Sequence, residues 1–260
     1  MAKLLITSCL DIYSKNEYGE RIPHNFGNKN SVCDNIIKYV DKYDNFVFVA
    51  SDPYNYAATD IYAGVTIDSF KLTLPFKNYI ILDGRNKSQA KEIIEMADFI
   101  FLCGGHVPTQ NKFFHEIGSG EIIRNTNALI CGGSAGSMNM ADIVYAQPEL
   151  EGESVDNNYN RYLPGLGLTN ISILPHFKER MNDVLDGKSI LNEISMSDSM
   201  IRPFIAISDG DYILSINGNV EIYGESYLFK DGSYSKLTEQ GTVTNITELV
   251  NNLYSPNLLD

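Results

Sequence analysis

The sequence contains no tryptophan, and it has only four histidines and four cysteines among its 260 residues. The cysteines follow neither a CxxC spacing nor another metal-ligand pattern: they are Cys9, Cys33, Cys103 and Cys131. The last two end apolar runs, where a cysteine behaves as a small core residue. This usage excludes a disulfide-rich scaffold. It predicts a reducing, cytoplasmic compartment.

Positive charge is also scarce, because 20 Lys and Arg stand against 33 Asp and Glu and give a formal net charge of −13. No run of Lys or Arg interrupts this acidity, so nucleic acid and anionic membranes are not expected as partners. No apolar run reaches the length of a transmembrane helix, and the first stretch is too short for a signal peptide. With 43% hydrophobic residues, we expect one domain over residues 1–260 that takes up small substrates.

Short apolar, β-rich runs alternate with helical patterns in the first half of the chain. The runs that predict strands are 4–8, 45–50, 79–82, 98–103 and 128–131. The patterns that predict helices are 29–42, 56–72, 88–96 and 111–117, with Ser88 as a helix cap. Such alternation is typical of an α/β fold with three layers, in which helices flank a largely parallel central sheet.

The pattern changes after about residue 145. Residues 147–164 are polar, acidic and turn-rich, which predicts a surface excursion, and residues around 188–196 predict an apolar helix. Four short strands follow at 204–207, 212–216, 220–223 and 227–229. Asn217-Gly218 between the second and third is a strong hairpin signal. We therefore expect C-terminal antiparallel hairpins at the edge of the same sheet.

The segment Gly132-Gly133-Ser134-Ala135-Gly136 follows an apolar strand and precedes a stretch that can continue as a helix. A sharp strand-to-helix turn needs small residues, because its backbone is strained and its serine must project into the crevice at the strand ends. Amide groups at the start of the helix favour developing negative charge. Ser134 is therefore a candidate nucleophile, and the alternative is a capping serine in a glycine-rich turn.

A nucleophilic serine needs a base within hydrogen-bond reach. His24 lies in a polar segment and His115 lies within a predicted helix, whereas His106 and His176 each follow a strand. By position alone, these last two compete for the role, and a buried hydrogen-bonded histidine is the alternative for each.

A carboxylate should orient the base. Asp209 also follows a predicted strand, although Asp-Gly turns are common without catalysis. Asp142, Glu149 and Asp156 lie between Ser134 and the later histidine in the sequence. An order of serine, histidine and Asp209 differs from the order of the α/β-hydrolases.

Four segments together carry a resemblance to a known family: 101–105, 128–136, 174–177 (Leu-Pro-His-Phe) and 205–210. In this order they resemble the peptidase E and cyanophycinase family, serine peptidases on a class I glutamine amidotransferase-like fold. The resemblance runs over nearly the whole chain. It implies Ser134 as the nucleophile, His176 as the base and Asp209 as the third member, where the family usually has glutamate. Glu149 is the reserve candidate for that carboxylate.

The resemblance further implies an oxyanion hole formed by the backbone N–H groups of Gly105 and Ala135. His106 stands where the family usually has Asn or Asp after the Gly-Gly turn, so it is a candidate substrate-binding residue. Arg180 follows the histidine so closely that the recognition loop of peptidase E looks shortened. This arginine is the candidate cation that remains, and a solvated helix face is the alternative.

The implied function is a serine peptidase, for example a dipeptidase, that cleaves short peptides through an acyl-enzyme. This mechanism is expected to need no metal or organic cofactor. The alternatives are a non-peptide amide or ester hydrolase and a non-catalytic domain that binds a small molecule or peptide on the same scaffold. A glutaminase is disfavoured because Ser134 stands where those enzymes carry cysteine. Family members are often dimeric, so a homodimer is a further expectation.

Overall fold

Strands and helices alternate through the first half of the chain, as the sequence predicts. A computed structural model describes residues 2–254. The strands of this part are β1 (Lys3–Thr7), β2 (Tyr13–Lys15), β3 (Arg21–Pro23), β4 (Asn45–Val49), β5 (Asn78–Leu82), β6 (Phe99–Leu102), β7 (Leu129–Gly133), β8 (Ile143–Tyr145), β9 (Tyr162–Pro164), β10 (Ile173–Pro175), β11 (Val184–Leu185), β12 (Lys188–Ser189), β13 (Phe204–Ile207), β14 (Tyr212–Ile216), β15 (Asn219–Tyr223), β16 (Ser226–Lys230), β17 (Ser233–Thr238) and β18 (Val243–Asn245). Its α-helices are α1 (Val32–Tyr39), α2 (Tyr56–Thr73), α3 (Ala90–Glu95), α4 (Val107–Glu116), α5 (Ser119–Arg124), α6 (Ala135–Met138), α7 (Met196–Asp198) and α8 (Thr247–Leu253).

The central sheet has eight strands in the order β18-β15-β14-β1-β7-β6-β4-β5. The five strands from β1 to β5 in this order run parallel to one another. The other three are antiparallel and form one edge. The predicted α/β class with a largely parallel sheet is therefore confirmed.

Helices cover both faces of this sheet because successive side chains of each buried strand point to opposite sides. In β4, Phe46 belongs to the core cluster that contains the buried side chains of α1 and α2, whereas Val47 belongs to the cluster that contains Ile94 of α3 and Ile123 of α5. The result is a helix–sheet–helix arrangement. It buries both sides of the parallel strands and leaves their carboxyl ends to form a crevice.

The C-terminal strands only partly follow the expectation. β14 and β15 lie at the sheet edge and meet at Asn217-Gly218, whose φ angles are +52° and +84°. By contrast, β13 and β16 belong to a second sheet of order β10-β13-β16-β17. All four residues of β13 are fully buried, with Ile205 in the central core and Phe204 in a separate cluster. A strand that is apolar on both faces needs packing on both sides, and the second sheet provides it.

Two local expectations in the helices are corrected. The helix expected around residues 188–196 begins two residues late, because β12 takes the first two positions and a π-helix over Ile190–Ser195 follows. Ser88 lies within a short 3-10 helix, and α3 begins at Ala90 instead. Within residues 2–254, no helix is long and apolar enough to span a bilayer.

Candidate active site

Two pairs of parallel strands end at the same crevice. β1 and β7 pair with Thr7 opposite Gly133, so Ser8 and Ser134 are the next residues on neighbouring strands. β10 and β13 pair with Pro175 opposite Ile207, so His176 and the turn before Asp209 are also neighbours. Within each pair, parallel strands place their carboxyl ends at one edge. The edges of the two sheets meet, and four polar side chains from distant parts of the sequence come together there.

The turn at Ser134 has the strained geometry expected of a nucleophile elbow. Its φ and ψ are 49° and −114°, values that cost a non-glycine residue about 1–3 kcal/mol. The amide of Ser134 donates to the carbonyl of Ser8 at 2.8 Å, which fastens the turn to β1. A Cβ on Gly136 would lie 2.0 Å from the carbonyl oxygen of Leu102. The small residues around the serine are therefore required by close backbone packing.

His176 connects Ser134 to Asp209. Its Nε2 lies 2.8 Å from Ser134 Oγ, and its Nδ1 lies 2.7 Å from Asp209 Oδ1. The ionised carboxylate can only accept, so Nδ1 carries the proton and Nε2 accepts from the serine hydroxyl. The next residue, Phe177, is buried against Tyr227, with ring centroids 4.3 Å apart. This packing anchors a backbone that has φ +92° at the histidine.

Asp209 is held in its ionised form. Partial burial raises its pKa, but hydrogen bonds from His176 and Ser8 and the charge of Lys29 together lower the pKa below its ordinary value. The ammonium group of Lys29 also donates to the backbone carbonyl of Asp209 at 2.7 Å. The carboxylate thus stays negative well into acid and can stabilise a positively charged imidazole.

Ser8 is a site residue that the sequence reasoning missed. Its hydroxyl donates to Asp209 Oδ1 at 2.6 Å and lies 3.1 Å from His176 Nδ1. The signal was present in the sequence, because Ser8 ends the first predicted strand and every other member of the site also follows a strand. A serine at the end of a strand is common, so only its contacts with Asp209 and His176 identify Ser8 as part of the site.

The Gly104–Gly105 turn lies against the elbow. A Cβ on Gly104 would be 3.3 Å from the Cβ of Ser134, and one on Gly105 would be 2.3 Å from Ser51 Oγ. The amide of Ala135 is the first of α6, so it has no acceptor within the helix. Because α6 has four residues, individual amides rather than a long helix dipole face the site.

The two candidate carboxylates have different partners. Asp209 contacts the histidine, whereas Glu149 Oε1 lies 3.4 Å from Arg180 Nη1. Burial raises the pKa of Glu149, and the charge of Arg180 partly offsets this. Arg180 also lies 3.4 Å from Asp183. The structure therefore brings Asp209, and not Glu149, into hydrogen-bond contact with His176.

Both ring nitrogens of His106 make hydrogen bonds. Its Nε2 lies 2.8 Å from Glu153 Oε1, and its Nδ1 lies 2.8 Å from Thr109 Oγ1. Glu153 belongs to the excursion at residues 147–164, so this pair joins the excursion to α4. Neither His106 nor Arg180 lines the cavity that contains Ser134.

A cavity of about 390 Å³ opens beside Ser134. Its lining includes His176, the Gly104–Gly105 turn and the aromatic rings of Phe48 and Phe101. Cys9 lies there too, but burial raises the pKa of its thiol to about 12, so it stays protonated and weakly nucleophilic. Among residues 2–254, no three His, Cys, Asp or Glu side chains are grouped closely enough to hold a metal ion.

Comparison with known proteins identifies the family and the fold of the chain. Residues 24–223 match the model of peptidase family S51, so the chain belongs to this family of serine peptidases, the peptidase E and cyanophycinase family. No curated protein matches the chain. A solved structure from Listeria monocytogenes, described as a candidate peptidase E, is similar with a TM-score of 0.53 and 16% identity. The match covers 92% of this chain and 100% of that one, and it shows the shared fold.

Proposed function

We propose that this S51 peptidase cleaves short peptides through an acyl-enzyme, with Ser134 as nucleophile, His176 as general base and Asp209 as the orienting carboxylate. The observation that carries the proposal is the continuous hydrogen-bonded chain, 2.8 Å from serine to histidine and 2.7 Å from histidine to aspartate. The strained backbone at the serine adds support, because strain of this kind is retained where the surrounding structure holds a functional group in place.

The chemistry follows from the positions of the protons. As Ser134 Oγ attacks the peptide carbonyl carbon, His176 Nε2 takes the hydroxyl proton, and the imidazolium is stabilised by Asp209. Collapse of the tetrahedral intermediate breaks the C–N bond, and the histidine gives that proton to the leaving amine. Water then attacks the ester, again losing its proton to the histidine, and hydrolysis releases the acid and restores the serine.

We assign the oxyanion hole to the amides of Gly105 and Ala135. Both lie next to Ser134, one in the turn packed against it and the other as its successor in the chain. Loss of one donor of this kind typically costs about 10²–10³ in rate. Backbone amides can stabilise the oxyanion without a charged side chain. His106 and Arg180 are paired with Glu153 and Glu149 instead.

The function can be tested by incubating the protein with a dipeptide library and measuring the released amino acids. We expect hydrolysis by the unchanged protein and its loss in Ser134→Ala and His176→Ala. His115→Ala is the matched control. This exposed histidine lies outside the cavity, and within residues 2–254 its side chain hydrogen-bonds only the carbonyl of Pro164, so the variant should retain full activity. Hydrolysis that survives at a near-normal rate in Ser134→Ala contradicts the proposal.

A further inference from the structure

The cavity beside Ser134 contains two charged side chains of opposite sign that have no ion-pair partner within residues 2–254. Arg21 comes from β3, and Asp52 follows β4. Within residues 2–254, the carboxylate of Asp52 makes no hydrogen bond. Its backbone carbonyl accepts from the Thr59 hydroxyl and the Asn55 amide. Both charged residues are exposed, whereas Phe48 and Phe101 deeper in the cavity are buried. The charges therefore face the solvent side of the cavity.

Arg21 is held in position by aromatic rings and by its hairpin. Its guanidinium carbon lies 5.2 Å from the ring centre of Tyr13 and 5.0 Å from that of Tyr62. Tyr13 is its diagonal neighbour across the β2–β3 pair, where Arg21 is opposite Lys15. Burial keeps the pKa of Tyr62 far above its ordinary value, so its phenol stays neutral and cannot pair with the cation. The stacking orients the guanidinium, and its N–H groups have no hydrogen-bond acceptor among the described residues.

Arg85 is a second arginine stacked on a tyrosine, but its guanidinium N–H groups have carboxylate acceptors. Its guanidinium also lies over a tyrosine, 5.0 Å from the ring centre of Tyr56. There, however, the N–H groups donate to Asp60 and Asp83, with the Nη2 contacts at 2.5 and 2.6 Å. A planar guanidinium matches a carboxylate with two parallel hydrogen bonds. The unpaired fork of Arg21 points to a carboxylate that residues 2–254 do not supply.

We propose that Arg21 binds a free carboxylate of the substrate and that Asp52 binds its free ammonium group. The cavity then selects zwitterionic short peptides with unblocked ends. This inference rests on the proposed function. The volume of about 390 Å³ lies at the low end of the range for small-molecule sites, roughly 300–1,000 Å³, which fits a ligand of dipeptide size.

The negative net charge of the protein affects how the Arg21 and Asp52 pair can bind a ligand. With a formal charge of −13, the protein repels anions at long range, so a peptide carboxylate needs a specific cation at its destination. The nearby Asp52 offsets the charge of Arg21, and a ligand with both charges satisfies both groups. A purely anionic ligand would leave Asp52 unpaired beside it.

The test compares one dipeptide pool in three forms: with free ends, with an amidated C-terminus and with an acetylated N-terminus. Products are measured by mass spectrometry for the unchanged protein, Arg21→Gln, Asp52→Asn and Lys15→Gln. The last variant is the matched control, because it removes one positive charge from the same hairpin at a residue that does not line the cavity. Labelling of Ser134 by a fluorophosphonate is followed in parallel, since it needs no peptide contact.

We expect the unchanged protein to cleave the free pool with kcat/KM about tenfold or more above either blocked pool, the scale of a lost charged hydrogen bond. Arg21→Gln should lower cleavage of the free pool by a similar factor, abolish discrimination against amides and leave labelling intact. Asp52→Asn should do the same for acetylated peptides, and Lys15→Gln should change nothing.

The inference is overturned if the protein cleaves free and blocked pools equally, or if Arg21→Gln still discriminates against amides. Normal labelling of Ser134 in that case leaves the proposed function intact. If the unchanged protein neither labels at Ser134 nor cleaves any pool, the proposed function fails, and the subsite fails with it.

Discussion

Ser8 Oγ donates a hydrogen bond of 2.6 Å to Asp209 Oδ1, and so joins the end of β1 in the central sheet to the turn after β13 in the second sheet. The same hydroxyl lies 3.1 Å from His176 Nδ1. The carboxylate oxygen that faces the imidazole therefore has two neighbouring donors. Because this contact spans the two sheets, it fixes the position of Asp209 relative to the elbow at Ser134.

The first prediction concerns this contact. The hydrogen bond from Ser8 is one reason why the pKa of Asp209 is low, so Ser8→Ala should raise it. Activity needs His176 neutral and the carboxylate ionised, so protonation of Asp209 adds a second, steeper step to the acid limb of the kcat/KM profile. This second step should begin at a higher pH in Ser8→Ala. We also expect kcat to fall about tenfold from the loss of one charge-assisted hydrogen bond.

Ser8→Thr keeps the hydroxyl and should restore the acid limb. The pH profile of peptide hydrolysis separates this role from a merely structural one, which would lower activity equally at every pH. An unchanged acid limb in Ser8→Ala would show that Ser8 does not act on Asp209.

The second prediction separates the two carboxylates. Asp209→Asn preserves the shape of the side chain but removes the charge and favours the wrong imidazole tautomer, so kcat should fall by about 10³–10⁴, as in other serine peptidases. Glu149→Gln is the matched variant, because Glu149 contacts Arg180 and not the histidine. We expect its kcat to stay within a few-fold of normal. A larger loss in Glu149→Gln than in Asp209→Asn would reverse the assignment.

The third prediction concerns the packing of the elbow. Gly136→Ala places a methyl group 2.0 Å from the carbonyl oxygen of Leu102, and backbone atoms cannot move aside cheaply. We expect the free energy of unfolding to fall by about 3 kcal/mol. In Gly64→Ala, the new methyl group meets nothing within 4 Å inside α2, and a helix gains about 0.5–1 kcal/mol from this change. Urea titration of both variants measures the difference, and equal stabilities would contradict the close packing.

The fourth prediction is a pH dependence of stability in the second sheet. The ammonium group of Lys178 lowers the pKa of Glu225 to about 2, although burial of this carboxylate acts in the opposite direction. Lys236, 2.9 Å away, contributes to the same shift. The folded pKa lies below the ordinary value, so the stabilisation is complete above that value and lost as pH falls towards 2.

Glu225→Gln should therefore lower the free energy of unfolding by about 1–2 kcal/mol at neutral pH, a figure reduced for the solvent exposure of both lysines. At the acid end, the variant and the unchanged protein should converge. Denaturant titrations at several pH values test this, and a constant difference across that range would rule out the ion pair as the cause.

Much of the site could be anticipated from the sequence, because its members follow buried strands. The alternation of strands and helices predicts the parallel central sheet, and Ser134 follows one of its strands. His176 and Asp209 follow neighbouring strands of the second sheet, whose ends meet the same crevice. The choice between His106 and His176 needed the resemblance, since both follow a strand. The organisation of residues 1–260 as one domain stays a prediction.

Other features depend on contacts between distant segments that no local pattern encodes. The partners of His106 and Arg180 are Glu153 and Glu149, which belong to a polar excursion whose path the sequence does not indicate. The second sheet was missed because the apolar run at β13 predicts a buried strand without saying which neighbours bury it. Ser8 was missed for the same reason, since its role appears only with its partners.

Covalent labelling distinguishes Ser134 from every other candidate nucleophile. The protein is treated with a fluorophosphonate, and the modified residue is located by peptide mass spectrometry. We predict one adduct, on Ser134, that forms far more slowly in His176→Ala and at the normal rate in His115→Ala. No adduct, or an adduct on another residue such as Ser8 or Cys9 with Ser134 unmodified, would contradict it.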